Sequence, residues 1–228
     1  MSNKARSQRL AAWFLPELMK SMDASFAKVK TELLKDLKTG RVLDVGCGGG
    51  GWLKYFDNKP NLELITQLEP NANLNPIIQA EVDAFRKRNP NSTVQVEISN
   101  KFVSQLHPDA KYDYVIFGNV MCEVPNPEQF LCDVDSVIKP GGKVVFLEHV
   151  KKPTGTFGSK LQEWINPFWV RASDGCNCNR NTLETLRQHP GFDRVESWEM
   201  ENDGPPFVNL LVAGVCIAKE KEGKMAKM

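Results

Sequence analysis

Residues 41–51, Arg-Val-Leu-Asp-Val-Gly-Cys-Gly-Gly-Gly-Gly, constrain the fold more than any other part of this sequence. An apolar run from Val42 to Val45, interrupted by Asp44, ends in a turn made almost wholly of glycine. Glycine tolerates positive φ and has no side chain, so a bound molecule can lie against the backbone there. Residues 52–56, Trp-Leu-Lys-Tyr-Phe, predict a short helix whose first N–H groups face the same place. Strand, glycine turn and helix together predict a cradle for a nucleotide-type cofactor.

Two classes of cofactor fit this cradle. Gly46, Gly48 and Gly51 satisfy the G-x-G-x-x-G dinucleotide fingerprint, and an acid follows later in the chain. Asp44 separates the two classes, because a carboxylate there pairs with an ammonium or a sulfonium through water or backbone and is a poor neighbour for a pyrophosphate. The run from Val42 to Gly50 resembles motif I of class I S-adenosylmethionine (SAM) methyltransferases. That resemblance favours SAM over a dinucleotide and over a glycine turn that binds no cofactor.

The other cofactor contacts are predicted at the ends of later strands. Glu69 lies 23 residues after Gly46, where an acid meets the ribose hydroxyls; the alternative is a solvated acid at a strand end. The loop after the third strand lacks the acid that normally bonds adenine and offers Asn100 instead. Ligands of open α/β sheets bind at the carboxyl ends of strands near the switch point, here between strands one and four. The predicted cofactor-binding residues are Asp44, Gly46, Cys47, Gly48, Gly50, Glu69, Pro70, Asn100, Gly118 and Asn119.

Apolar runs separated by turn signals predict an α/β fold, a doubly wound and mostly parallel sheet of seven strands. We expect a helical N-terminal cap at residues 1–38, a methyltransferase domain at 39–218 and a charged, disordered tail at 219–228. The cap either covers one edge of the sheet or closes over the site with Trp13 and Phe14. Residues 150–180 interrupt the strand–helix rhythm with Trp164 and Trp169, and predict either an aromatic cover for the substrate or a packed surface loop. The predicted strands are residues 42–45, 62–68, 93–98, 112–118, 143–147, 192–198 and 207–218, the last antiparallel, and the predicted helices include 75–88, 127–138 and 182–188.

Composition excludes some classes of function. The net charge of +1 gives no electrostatic basis for binding nucleic acid. No secretory signal precedes the six cysteines, so we expect reduced thiols in the cytoplasm. Cys176-Asn177-Cys178 lacks a second ligand pair, and we expect no metal. The apolar stretch Leu10–Met19 contains Pro16 and Glu17 and is about half the ~20 residues that a membrane span needs.

A narrower resemblance covers residues 14–218. The chain is similar to the methyltransferase-like protein seven group, the alkyl thiol S-methyltransferases, which implies the seven-stranded Rossmann-like class I fold, SAM as cofactor and a small-molecule thiol as acceptor. That group carries an N-terminal hydrophobic segment that this chain lacks, so the resemblance leaves peripheral contact with the endoplasmic reticulum or a lipid droplet open. The matching runs are Phe14-Leu15, Glu32-Leu33-Leu34, Asn119-Val120-Met121-Cys122-Glu123-Val124, Pro140-Gly141-Gly142, Glu148-His149-Val150 and Asp174-Gly175-Cys176.

His149 is the candidate catalytic residue, because it follows the fifth predicted strand and reaches the same rim as the cofactor cradle. The structural alternative is a packed histidine. A thiol with a pKa of about 8.5 is already partly ionised at neutral pH, so methyl transfer to it does not require a strong base. Methylation of an oxygen or a nitrogen on a small molecule, or SAM binding without turnover, are the alternatives.

Overall fold

The computed structural model describes residues 25–173 and 175–220. Within these ranges seven strands form one sheet in the order β3-β2-β1-β4-β5-β7-β6. The strands are β1 (Thr39–Val45), β2 (Asn61–Leu68), β3 (Gln95–Ser99), β4 (Tyr112–Gly118), β5 (Ile138–His149), β6 (Phe192–Glu201) and β7 (Leu210–Ala218). The helices are α1 (residues 25–33), α2 (Asn75–Arg88), α3 (Pro127–Val137), α4 (Phe157–Ala172) and α5 (Thr182–Gln188).

The topology confirms the predicted doubly wound sheet. Strands β1 to β5 pair in parallel, whereas β7 lies antiparallel between β5 and β6. β1 pairs with β2 on one side and with β4 on the other, so the chain reverses its direction of winding there. This is the switch point at which open sheets of this kind bind ligands.

Each face of the sheet has its own hydrophobic core, because successive side chains of a strand point to opposite faces. Leu43 and Phe117 belong to the core that α3 and α5 cover, whereas Val42 and Ile116 belong to the core that α1 and α2 cover. On α2 the buried residues Ile78, Val82 and Phe85 follow helical spacing. The sheet is therefore buried on both faces, as the nearly continuous apolar strands predict.

Several predicted boundaries were wrong. β5 begins at Ile138 instead of Lys143, since Ile138 already pairs with Tyr112 before a register shift. β3 begins at Gln95 rather than Thr93, and β7 begins at Leu210 rather than Phe207. The predicted helix at residues 52–56 is one 3₁₀ turn, Leu53–Phe56.

The interrupted segment at residues 150–180 contains a helix that the sequence did not predict. Helix α4 begins after Thr156, whose side chain accepts a hydrogen bond from the Ser159 N–H, and it includes Pro167. Gly155, Gly158 and Pro167 conceal its periodicity, because they are typical of loops.

Some expectations concern residues outside the described ranges. Trp13 and Phe14, most of the predicted cap and residues 221–228 of the predicted tail are among them. Residues 25–33, at the end of the predicted cap, are helical. Among the described residues, no helix combines the length and apolarity needed to cross a membrane.

Candidate active site

The carboxyl ends of four neighbouring strands lie level with one another. Val45 pairs with Leu68 of β2 and with Phe117 of β4, and Gly118 pairs with Leu147 of β5. The residues that come next in the chain therefore meet at one edge of the sheet. They are Gly46, Glu69, Asn119 and Glu148.

The glycine turn has the backbone conformation that its sequence predicts. The φ angles of Gly46, Gly48 and Gly50 are 60°, 56° and 77°. A Cβ added at Gly46 would lie 2.6 Å from Cγ2 of Val120, which belongs to the loop after β4. The turn thus packs directly on that second loop, and a side chain at Gly46 has no room.

Cys47 shapes the turn through its backbone. Its N–H donates to the Leu68 carbonyl at 3.2 Å, and its own carbonyl accepts from the Gly50 N–H at 2.8 Å. The thiol is buried in the core, and this burial raises its pKa. Cys47 is therefore placed to offer backbone and not a reactive thiol to a ligand.

Glu69 and Pro70 begin the loop after β2. The Glu69 carboxylate accepts the Gly48 N–H through Oε2 at 3.0 Å and the Asn71 N–H through Oε1 at 2.8 Å. Burial raises the pKa of Glu69, and these two hydrogen bonds oppose the rise. The acid that the sequence assigned to ribose is thus in direct contact with the glycine turn.

Asn100 joins the loop after β3 to the end of β2. Its Nδ2 donates to the Glu69 carbonyl at 2.7 Å, and its amide exchanges two 2.9 Å hydrogen bonds with the amide of Asn75. Asn75 is the first residue of α2, and its side chain forms this amide pair. Asn100 therefore lies beside Glu69.

Asp44 lies inside β1 and is completely buried. Gln67 is its register partner on β2, and Gln67 Nε2 donates to Asp44 Oδ2 at 3.0 Å. In the part of the chain that the structure describes, Asp44 Oδ1 has no hydrogen-bond partner. Burial raises the pKa of Asp44 to about 7, against the opposing effects of Gln67 and of the nearby Lys30.

Lys30 and Trp52 connect α1 to the cradle, which the sequence did not predict. Lys30 Nζ donates to the Gly51 carbonyl at 3.2 Å and lies 4.6 Å from the centre of the Trp52 ring. The same indole lies beside Gly118, where an added Cβ would be 3.5 Å from Trp52 Nε1. A signal was present in the sequence, since Lys30 interrupts an apolar helix face that Phe26 and Leu33 continue.

Asn119 and Glu148 hold the loop after β4. Asn119 has a φ of 56°, and its Oδ1 accepts the His149 N–H at 3.3 Å. Glu148 is fully buried, and its Oε1 accepts the N–H groups of Val120 at 2.8 Å and Met121 at 3.2 Å. Burial raises the pKa of Glu148 to about 7. Gly118 therefore lies beside Trp52 and is followed by Asn119, which begins a loop that a buried carboxyl group fixes.

His149 lies in a cluster with two buried cysteines. Its Nε2 is 2.9 Å from Cys176 Sγ, and the ligand atoms of Cys122, His149 and Cys176 all lie within 4.8 Å of one another. Trp169 Nε1 donates to Cys176 Sγ at 3.3 Å, and the Cys122 thiol donates to the Asn119 carbonyl at 3.3 Å. We call Cys122, His149 and Cys176 the thiol–imidazole cluster.

The members of the cluster shift one another's pKa values in different directions. The neighbouring thiol of Cys122 lowers the pKa of Cys176 to about 4 against the effect of burial, and His149 and Trp169 lower it further. The hydrogen bond to Cys176, together with burial, raises the pKa of Cys122. Burial alone would lower the pKa of His149, but the hydrogen bond to Cys176 and the charges of Cys176 and Glu148 raise it. The cluster therefore favours the thiolate form of Cys176 and a raised pKa of the His149 imidazole.

The C-x-C motif does not act as a unit. Cys178 turns away from the cluster, and its Sγ lies 3.4 Å from Asn166 Oδ1. The two tryptophans of the predicted aromatic cover also separate: Trp164 is 71% exposed, whereas Trp169 packs edge-on against Phe207 and bonds Cys176. Cys122 and Trp169 complete a site that the sequence located only through His149.

Residues 18–197, well over half of the chain, match the family described as the methyltransferase domain. The chain belongs to this methyltransferase family. Thiol S-methyltransferase TMT1B of Rattus norvegicus is 29% identical to this methyltransferase over 211 residues, covering 88% of this chain and 82% of the rat protein. Thiol S-methyltransferase TMT1A of Homo sapiens is 27% identical over 205 residues, covering 82% and 80%.

A solved structure shows the same fold. N-methyltransferase NodS from Bradyrhizobium japonicum, in complex with S-adenosyl-L-homocysteine, superposes on this methyltransferase with a TM-score of 0.57 at 12% identity. The match covers 85% of this chain and 87% of NodS. At that identity the likeness establishes the fold and not the acceptor.

SAM is the methyl donor of this methyltransferase family, and the cradle suits it. The turn at Gly46 leaves no room for a side chain but exposes backbone, the Glu69 carboxylate reaches the same turn, and Asp44 Oδ1 is an unpaired buried acceptor among the described residues. When bound, SAM supplies an electrophilic methyl group on a sulfonium.

Proposed function

We propose that this methyltransferase transfers the methyl group of SAM to the sulfur of a small apolar thiol. The observation that carries the proposal is the 27–29% identity to thiol S-methyltransferases across more than four-fifths of the chain. The thiol–imidazole cluster supports it, because imidazole and thiols beside the loop after β4 suit a sulfur acceptor.

In this proposal different residues of the cradle contact different parts of the cofactor. The backbone of Gly46, Cys47, Gly48 and Gly50 lies against its amino-acid part, and Asp44 opposes its ammonium and sulfonium charge. Glu69 accepts hydrogen bonds from the ribose hydroxyls, since it follows β2 directly and contacts the turn. Pro70 and Asn100 contact adenine. Gly118 and Asn119 lie on the side of the cofactor that faces the acceptor.

His149 is the proposed catalytic residue. It ends β5 next to the loop after β4, and its ring lies among the sulfurs of Cys122 and Cys176. Its task is to keep the acceptor sulfur in the thiolate form, while the enclosing protein aligns that sulfur with the methyl group and excludes water.

The free state of all six cysteines supports a reducing compartment such as the cytoplasm.

The test is incubation with isotopically labelled SAM and a panel of alkyl thiols, glutathione, phenols and amines. We expect label in the alkyl thiols, with kcat/KM rising along the alkyl series, because each buried CH₂ is worth about 0.8 kcal/mol. A preference for glutathione, or for a phenol over every thiol, would contradict the proposed acceptor and leave the cofactor assignment standing. SAM binding without transfer to any acceptor would contradict enzymatic function.

A further inference from the structure

We propose that the thiol–imidazole cluster is a zinc site, with Cys122 Sγ, His149 Nε2 and Cys176 Sγ as its ligands. Two cysteines and one histidine are a ligand set that Zn²⁺ prefers, and three protein ligands leave one coordination position open. The three residues come from the loop after β4, the end of β5 and the loop after α4. Sequence spacing could not reveal this set, because each ligand lies 27 residues from the next one in the chain.

The ligand atoms are already gathered at nearly the required separation. Tetrahedral zinc, with Zn–S of about 2.3 Å and Zn–N of about 2.0 Å, places its ligand atoms about 3.5–3.8 Å apart. The three atoms of the cluster lie within 4.8 Å of one another, and His149 Nε2 is 2.9 Å from Cys176 Sγ. The imidazole and the thiolate need to separate by less than 1 Å to admit the ion.

Hydrogen bonds outside the cluster hold the segments that carry the ligands. Asn177, next to Cys176, donates both its backbone N–H and its Nδ2 to the Cys122 carbonyl, at 2.9 and 3.2 Å. The Asn119 side chain accepts the His149 N–H at 3.3 Å. Binding sites that are fixed before the ligand arrives lose less entropy on binding, so this bracing favours metal uptake.

Of the charged groups next to the cluster, the acid Glu148 favours a cation, whereas the guanidinium of Arg180 opposes it. Glu148 is completely buried next to His149, and in the described ranges its Oε2 has no hydrogen-bond partner. The neighbouring guanidinium of Arg180 donates through Nη1 to the carbonyls of Met121 and Val124, at 2.5 and 2.6 Å. A bound Zn²⁺ takes both sulfurs as thiolates and the imidazole as the neutral ring, and the protons displaced from the cluster leave to solvent.

The open position would take the sulfur of the acceptor, a step that rests on the proposed function. Coordination to a metal cation deprotonates a thiol, and the proton leaves to solvent, so His149 would maintain the acceptor thiolate as a ligand of the metal. Trp169 Nε1, which donates to Cys176 Sγ at 3.3 Å, supports a ligand that must stay ionised.

Metal content of the purified, untagged protein tests the site directly. We expect one zinc ion per chain in the wild type by mass spectrometry of the metal, or after loading from a chelator-buffered zinc solution. Cys122→Ser and Cys176→Ser should lose it. Cys178→Ser is the matched control, because Cys178 is equally buried in the same loop but bonds Asn166, and it should keep the zinc.

A wild-type protein that neither contains zinc nor takes it up would overturn the proposal, and so would retention of zinc by both cysteine variants. Because these variants can lose stability, loading of the wild type with Co²⁺ gives a second readout. Thiolate-to-cobalt charge-transfer absorption and tetrahedral ligand-field bands are expected. A spectrum without charge transfer would rule out the sulfur ligands.

Addition of propanethiol to the cobalt protein, with no SAM present, separates the two proposals. A shift of the ligand-field bands supports the acceptor as fourth ligand. If the bands shift but no thiol is ever methylated, the metal site stands and the proposed function fails. If thiols are methylated but the bands do not move, the fourth-ligand step is wrong.

Discussion

The carboxyl group of Asp44 is predicted to make the stability of the protein fall with rising pH. Its pKa is about 7 in the folded protein against 3.8 for an ordinary aspartate, so the folded state binds the proton more tightly. The contribution is complete below pH 4, declines as the pH rises toward 7 and is lost above that. Asp44→Asn keeps an acceptor for Gln67 and removes the titration.

Urea unfolding at pH 5 and pH 8 checks this prediction. The free energy of unfolding of Asp44→Asn relative to wild type should increase between these pH values, by an amount on the order of 3 kcal/mol. The same variant should bind SAM more weakly, by about 1–3 kcal/mol, because it lacks the charge opposite the ammonium group. Parallel pH profiles of the two proteins would show that Asp44 ionises normally.

Glu69 is predicted to act through both carboxylate oxygens. Glu69→Gln replaces one acceptor with an NH₂ group that must face the N–H of Gly48 or of Asn71. We expect both Glu69→Gln and Glu69→Ala to raise the Kd for SAM, measured by calorimetry. The binding free energy should weaken by about 1–3 kcal/mol. Glu63→Gln, which changes an exposed acid of β2, is the control. Wild-type affinity in both Glu69 variants would remove Glu69 from the ribose site.

Replacement of Gly46 has two energetic costs, a steric clash and backbone strain, and a second mutation can distinguish them. Gly46→Ala places a Cβ 2.6 Å from Val120 Cγ2 and also requires alanine at a φ of 60°. Adding Val120→Ala removes the clash but not the backbone strain, which is about 1 kcal/mol. The double variant should therefore regain part of the thermal stability and SAM affinity that Gly46→Ala loses. No recovery would mean that backbone strain alone accounts for the loss.

At the scale of elements, most strands could be predicted from sequence, because strands buried on both faces are continuous apolar runs. β4 was predicted with its observed bounds, Tyr112–Gly118. Helix α4 could not be predicted, since its outward face carries Phe157, Trp164 and Phe168, and its buried face carries the polar residues Ser159 and Gln162. This reverses the amphipathic pattern that identifies a helix.

Gln162 is predicted to fasten α4 to the rest of the fold. Its Nε2 donates to the carbonyls of Val150, Cys178 and Phe207, at 3.1, 2.8 and 3.1 Å, and its Oε1 accepts the Lys152 N–H at 2.7 Å. Gln162→Ala leaves these buried groups without partners and should cost about 2–4 kcal/mol in the free energy of unfolding.

Equilibrium unfolding in urea measures this loss, with Gln79→Ala as the control. Gln79 is an exposed helical glutamine bonded to Asp83, so its replacement should change stability by less than about 0.5 kcal/mol. Equal effects of the two substitutions would show that α4 is held by other contacts.

For the whole molecule, SAM and not NAD is predicted to stabilise the fold. A ligand that binds only the folded state adds about 2.7 kcal/mol at a concentration of 100 Kd, which raises the Tm of a protein of this size by several degrees. Thermal unfolding with each cofactor checks this expectation. A rise in Tm with NAD and none with SAM would contradict the role of the cradle.

The cofactor cradle and the thiol–imidazole cluster differ in how far sequence reveals them. The cradle is built mainly from one short run, Asp44 to Gly50, so local spacing predicts it. Cys122, His149 and Cys176 become neighbours only because β4 and β5 pair in register and α4 returns the chain to their ends. Nothing in the local sequence of each residue carries that information.

The end of β5 has a consequence for how this protein can change. Glu148 and His149 are consecutive strand residues and point to opposite faces, so one fixes the loop after β4 while the other enters the cluster. Insertion or deletion of a single residue upstream in β5 would turn Glu148 and His149 each to the opposite face of the sheet. The contact with the loop after β4 and the contact with the cluster would then be lost together. Substitution can alter either side independently. Diversification of the acceptor in proteins built this way should therefore proceed by replacement at this strand end and never by a change in its length.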